Sequence, residues 1–214
     1  MEISQSKKVS RLDRYWAIIR NGMFLFGLRN RLANIGIDIK PYYWVVEEYE
    51  KCEEPLIKDD ASKYSLRYIS IDEIKELYKD KPKDEVEEVV EGMKKGYLCA
   101  GLECKNEIVV HMYIALTDFN FKGRVFKLKS NEAYLFNIWT SHLHRGKNLA
   151  PYLRYQVYQL LREQGRNVKY SVTEYFNKSS IKFKKKLNSK NLYLYLNIVL
   201  FDKYKWNFTL KKYE

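Results

Sequence analysis

The stretch "WTSHLHRGKNLAPYLRYQVYQLLREQG", Trp139 to Gly165, decides the reading of this chain. Leu149, Leu153, Val157, Leu160 and Leu161 recur at helical spacing and form one apolar stripe. Pro151 falls in the first turn and Gly165 just past the end, as a helix prefers. In front of that helix lie two histidines, Arg145, Gly146, Lys147 and Asn148. A flexible basic loop that feeds a helix N-terminus collects unpaired N–H groups and positive charge, which makes it a place for a phosphate.

Working outward, "EAYLFNIWT" (Glu132 to Thr140) is apolar on both faces and reads as a central strand. "VKYSVT" follows the helix as another strand. A strand–helix–strand crossover of this length implies a right-handed parallel pair. The basic loop then lies at the C-terminal end of a parallel strand, where open sheets bind ligands.

The rest of the chain is consistent with a mixed α/β sheet. "YYWVVEEYE" (Tyr42 to Glu50) and "KYSLRYIS" are β-branched and aromatic strands. "SIDEIKELY" opens with a capping box, Ser70 with Glu73. A helix runs from Asp84 to Lys95, stopped by Gly96. Lys105-Asn106 is a tight hairpin turn between two strands. A short helix starts after Asn177, with Asn188 at a left-handed cap position, and two antiparallel strands close the chain. Near the N-terminus, Leu12, Trp16, Ile19, Met23 and Phe26 form the apolar stripe of a basic amphipathic helix carrying Arg11, Arg14 and Arg20. Such a helix can pack on the body or lie on a membrane surface.

The chain has 214 residues and a net charge of +12. The excess is uneven: residues 47–107 are net acidic and the remainder net basic. A basic surface attracts anions of any kind. Three cysteines without a C-x-x-C pattern suggest neither a disulfide framework nor a zinc site, and three scattered histidines make no ligand cluster. The apolar run "WAIIRNGMFLFGL" is broken by Arg20 and Asn21, so secretion is not expected and a cytoplasmic location is. No nucleic-acid-binding motif is present, so no nucleic acid is expected as a partner.

The segment around Arg145 resembles the central motif of the GNAT (Gcn5-related) N-acetyltransferases, R/Q-x-x-G-x-G/A, between a strand and a helix. Arg145 and Ala150 match its first and last positions; Asn148 replaces the Gly of the fourth. "NKSSIKFKKKLNSK" is similar to a later segment of that family through Asn177, Ser180, Phe183 and Leu187. Lys184 stands where the family often has a Tyr that acts as general acid. The element order from Tyr64 to Phe201 matches as well. The resemblance implies a GNAT-like acyl-CoA N-acyltransferase fold over residues 64–214, preceded by an arm of one helix and one strand over residues 1–63. It implies direct transfer of an acyl group from acetyl-CoA or another acyl-CoA to a small amine-bearing acceptor, with no metal. Cofactor contacts would fall on Ile138, Trp139 and Thr140, on Arg145, Gly146, Lys147, Asn148, Leu149 and Ala150, and on Asn177. For the base, Glu174 and then Glu132 are the candidates, one ending and one starting a strand of the parallel pair. The alternative is a non-catalytic protein of the same fold that binds a partner or nucleic acid through its basic surface. A membrane-surface role for residues 1–31 stays open, and the acceptor and the oligomeric state are not legible.

Overall fold

The structure, a computed structural model, describes residues 24 to 214. The expected amphipathic helix over residues 10–26 lies outside the described residues but for the backbone of its last three, which open helix α1 (Phe24–Asn34). Strand β1 (Ile37–Glu47) follows. Then come β2 (Ser65–Tyr68), α2 (Ile71–Leu77), α3 (Lys83–Lys94), β3 (Leu98–Cys104) and β4 (Glu107–Ala115). A small hairpin, β5 (Phe119–Phe121) and β6 (Arg124–Phe126), leads to β7 (Glu132–Thr140). Helix α4 (Leu149–Glu163), β8 (Val168–Glu174), α5 (Lys178–Lys185), β9 (Lys190–Leu200) and β10 (Tyr204–Lys212) complete the fold.

The local signals act as expected. Ser70 accepts from the Glu73 N–H, and Glu73 reaches back to the Ser70 N–H at 2.9 Å. Lys105 and Asn106 both adopt positive φ, 52° and 63°, which matches the right-handed twist of a two-residue hairpin. Asn188 is left-handed at φ 51°. Eight strands form one sheet in the order β10-β9-β1-β8-β7-β4-β3-β2. Every pair is antiparallel except β7 with β8, the expected parallel pair.

Strand alternation sorts the core into two layers. On one face α4 presents Leu149, Leu153, Val157, Tyr158 and Leu161 to Ala100, Leu102, Val110, Met112 and Leu135. On the other, Ile74 of α2 packs on Cys99 and Tyr113, while Trp44, Phe119, Phe126 and Tyr134 form an aromatic layer. Trp44 stacks on Phe126 with ring centroids 4.4 Å apart.

The expected boundary at residue 63 does not describe β1. Rather than an arm packed on a core, β1 is an interior strand, paired with β8 on one side and β9 on the other. Pro41 is tolerated within it because pairing with β8 starts only at Tyr42. The edge of Pro41 that lacks a donor thus faces the end of β8, where its carbonyl accepts the Tyr175 N–H at 3.0 Å.

The interior position of β1 carries a buried carboxylate into the sheet. Glu47 is 1% exposed. It pairs with Arg154 of α4 at 3.0 Å, receives the Tyr158 hydroxyl at 2.5 Å and lies 3.6 Å from Lys184 of α5. Burial opposes its ionisation, but Arg154, Lys184 and its hydrogen bonds together hold its pKa below the usual carboxylate value. Removing it would leave two buried cations without a carboxylate. Glu47→Ala should therefore cost about 3–5 kcal/mol, read as a lower urea midpoint at unchanged slope.

Candidate active site

The parallel register of β7 and β8 covers three residue pairs, Glu132↔Val168 to Tyr134↔Tyr170. Past that point the strands part. On the β4 side the register of β7 shifts between the pairs His111↔Trp139 and Tyr113↔Phe136. The extra residue is accommodated at Asn137, which takes a left-handed φ of 48°. A bulge of this kind bends its strand and increases local twist. The C-terminal half of β7 thus leaves β8, and a cleft of about 300 Å3 opens between them.

That cleft is lined by Phe136, Asn137 and Ile138 of β7, by Val172, Thr173 and Glu174 of β8, and by Asn177 and Lys184. Arg154 reaches it from α4. A second cavity, about 430 Å3, lies against α2 and α3 and shares Phe136, Asn137 and Ile138 with the first. The bulge therefore stands between two cavities, each of which has access to the same few backbone groups.

The loop before α4 lies beyond the end of β7. Gly146 has φ 81° and Asn148 φ 65°, with Lys147 between them. Alternation of left-handed with ordinary residues turns successive N–H groups toward one side, as an anion-binding nest requires. Among the described residues, the N–H groups of Gly146, Lys147, Asn148, Leu149 and Ala150 have no protein acceptor. Asn148 precedes the helix without capping it: its Nδ2 donates instead to the Leu56 carbonyl at 2.7 Å. Lys147 pairs with Asp59 at 3.1 Å, and its carbonyl accepts from Lys58 N at 2.9 Å. Arg145 is exposed, its Nε donating to the Thr140 carbonyl at 3.3 Å.

The expected site residues separate into those brought together and those not. Ile138 lines both cavities, Trp139 only the one by α2 and α3, and Thr140 neither. Residues 146–150 form the free-amide loop, and Arg145 precedes it with its N–H bonded to the His142 carbonyl at 3.4 Å. Asn177 lines the cleft, its Oδ1 accepting from Ser180 N at 3.0 Å to cap α5. Glu174 ends β8 in the cleft, 3.6 Å from Lys122. Glu132 does not join them. It lies six residues before Ile138 on an extended strand, about 20 Å away, where it accepts from Lys129 N at 2.8 Å. Both strand ends look alike in sequence, but only the diverging end of the pair is open.

Two polar groups are buried without a sequence signal for their burial. Lys184 is 5% exposed at the wall of the cleft. It donates to Ser171 Oγ at 2.6 Å, to Thr173 Oγ1 at 2.5 Å and to the Val172 carbonyl at 3.0 Å. Burial pushes its pKa down to about 8, with Glu47 pulling the other way. His111 is fully buried, 2.7 Å from the Tyr78 hydroxyl, and burial lowers its pKa to about 4. The three cysteines are free. No group of residues suited to hold a metal occurs among the described residues, nor does any helix long and apolar enough to cross a membrane.

No family model matches the sequence, and no curated protein does. Solved structures do resemble the fold. A GNAT-family acetyltransferase from Colwellia psychrerythraea aligns over 77% of this chain and 57% of its own, at TM-score 0.55 and 10% identity. A GCN5-related N-acetyltransferase-like protein from Streptococcus suis aligns over 82% and 67%, at 0.52 and 14%. A protein of Novosphingobium aromaticivorans assigned to the GNAT family aligns over 77% and 66%, at 0.51 and 16%. The chain thus spans between 57% and 67% of the length of these three. At such identities the likeness is one of fold: this chain has the mixed α/β fold of the GNAT acetyltransferases.

The buried ammonium gives a test of the cleft's interior. Its ordinary pKa is 10.5 and its folded value about 8. Below pH 8 both states hold the proton and the burial cost is complete. Between pH 8 and 10.5 the unfolded chain binds more protons at this group, so its contribution to unfolding free energy rises with pH. Replacement by methionine removes that titration. The stability of Lys184→Met relative to wild type should therefore fall by up to about 3 kcal/mol across that window, followed by chemical denaturation at each pH.

Proposed function

We propose that this chain is an acyl-CoA-dependent N-acyltransferase that moves an acyl group, acetyl in the first instance, directly to an amine. The observation that carries the reading is the run of free N–H groups from Gly146 to Ala150 at the open end of a splayed parallel pair. The pyrophosphate of CoA would lie on those N–H groups, with Arg145 beside it. The amide-bearing arm of CoA would extend along the part of β7 that β8 has left, near Ile138. That places the thioester at the bulge, where the two cavities meet.

The chemistry then needs a neutral amine, a donor to the oxyanion and a proton for the departing thiolate. Glu174, at the cleft, is the carboxylate proposed to take the proton of the amine. The bulged backbone around Asn137 offers N–H groups that β8 does not use. Lys184, the cation on the wall of the cleft, is proposed to stabilise and protonate the thiolate in place of a tyrosine. The buried charges favour this: Arg154 and Lys184 face the single carboxylate of Glu47, which leaves excess positive charge where a thiolate would form.

Calorimetry with acetyl-CoA, paired with release of free CoA thiol in the presence of amines, tests the proposal. Wild type should bind. Arg145→Ala should bind more weakly by about 1–3 kcal/mol, having lost a charge-assisted contact. Asn148→Gly keeps the left-handed backbone and should bind within a few-fold of wild type. Absence of binding to any acyl-CoA at millimolar concentration would remove the enzymatic reading in favour of a non-catalytic protein of the same fold. Equal binding by wild type and Arg145→Ala would move the phosphates to another loop.

A further inference from the structure

The cavity against α2 and α3 differs in chemistry from the cleft on the other side of the bulge. Its walls are aromatic: Tyr78, Tyr97, Tyr113, Phe136 and Trp139 all line it. Two carboxylates, Glu85 and Glu88, lie one helical turn apart on α3 at its exposed edge. Lys81 is the one cation in the lining and stands 3.8 Å from Glu85, so the edge keeps a net negative charge. This occurs in a chain whose net charge is +12, and across β7 from a cleft walled by Arg154 and Lys184. Aromatic faces with nearby carboxylates attract an organic cation, through the ring quadrupoles and through charge.

The polar groups of the cavity restrict the ligand further. The Tyr113 hydroxyl is 3.3 Å from that of Tyr78, which in turn is 2.7 Å from His111 Nε2. Both hydroxyls are thereby engaged with each other and with a buried ring. These two hydroxyls offer little to a ligand with many hydroxyls, such as an amino sugar, which would have to find its partners in Asn137, Tyr97 and the charged edge alone. His111, behind Tyr78, is held uncharged at neutral pH by burial and so adds no positive charge beneath the cavity. The volume, about 430 Å3, is that of a small-molecule site and exceeds what an unbranched lysine stem fills.

We infer that the acceptor is a small primary amine with a ring-sized apolar body, held as its ammonium between the aromatic walls and the Glu85–Glu88 edge before it meets the thioester. The inference names the substrate class of the proposed acyltransferase and rests on that reading. Its test is therefore made by binding alone, without CoA.

The probe is 2-phenylethylamine, titrated by calorimetry and by Trp fluorescence. Its anionic counterpart phenylacetate, glucosamine and Nα-acetyl-lysine amide serve as comparisons. The phenyl amine should bind at least tenfold more tightly than each of the other three. Exchanging both carboxylates, Glu85→Gln with Glu88→Gln, should weaken it about tenfold; both are exposed, so the fold should be unaffected. Trp139→Leu should weaken it as well and remove much of the fluorescence response. Equal binding of phenylacetate, tighter binding of glucosamine or of the lysine amide, or an unchanged affinity in the double Gln variant would each overturn the assignment. A protein that binds acetyl-CoA but not the phenyl amine would lose this inference alone. One that binds the amine but no acyl-CoA would keep the amine site and lose the transferase.

Discussion

The short parallel pairing of β7 and β8 is the constraint on which the rest of this structure depends. Three residue pairs hold the strands together, and then each follows a different neighbour. β8 stays with β1 as far as Glu174, while β7 stays with β4 across a bulge at Asn137. A strand that leaves its partner exposes one edge of backbone N–H and C=O groups, which is costly in a buried sheet unless something pairs with them. The donor proposed for this chain has amides of its own that would pair with the exposed edge. The bulge also gives the edge two sides, because Phe136, Asn137 and Ile138 border both cavities.

Charge follows the same division. Behind the cleft, Arg154 and Lys184 converge on Glu47, and the Tyr158 hydroxyl and the Ser171 and Thr173 hydroxyls satisfy much of the remaining hydrogen bonding. Desolvating two cations for one anion is unfavourable in itself. It is offset where a further negative charge arrives, and the proposed donor brings a developing thiolate. Across β7 the sign reverses, with carboxylates on α3. The proposed anionic donor and cationic acceptor would thus each meet opposite charge on its own side of one strand, which would reduce competition between them for either cavity.

Much of this was legible in the sequence, and the exceptions have a common cause. The capping box at Ser70, the hairpin at Lys105-Asn106, the strand Glu132–Thr140 and the helix from Leu149 are local patterns, and local patterns suffice to form them. The place of β1 was not legible, because a strand's own residues say that it pairs but not with what. Pro41 further hid its first residues. Arg154 and Tyr158 look like the polar side of an amphipathic helix; they are buried because Glu47 arrives from a strand more than a hundred residues away, 111 in the case of Tyr158. Lys184 was legible as a departure from a familiar pattern, but its burial was not. Glu174 comes before Glu132 in the sequence reading, but only the direction of splay separates the two in space.

Asn148 shows how a local departure can be absorbed by its surroundings. A position that needs left-handed backbone favours glycine, and any side chain there must find room. Asn tolerates the conformation better than most residues. Here its amide also donates to the Leu56 carbonyl, so the side chain acquires a partner of its own. The same segment is tied in by the Lys147–Asp59 pair, by Lys58 N to the Lys147 carbonyl, and by Gln156 to Glu54 at 2.7 Å. Residues 54–59 and the loop are therefore one hydrogen-bonded unit. A glycine in place of Asn148 would allow the same φ but would lose the attachment to Leu56. Asn at this position therefore gives up backbone freedom for a loop whose shape is fixed before any anion reaches its N–H groups, and a site that is pre-shaped loses less entropy on binding.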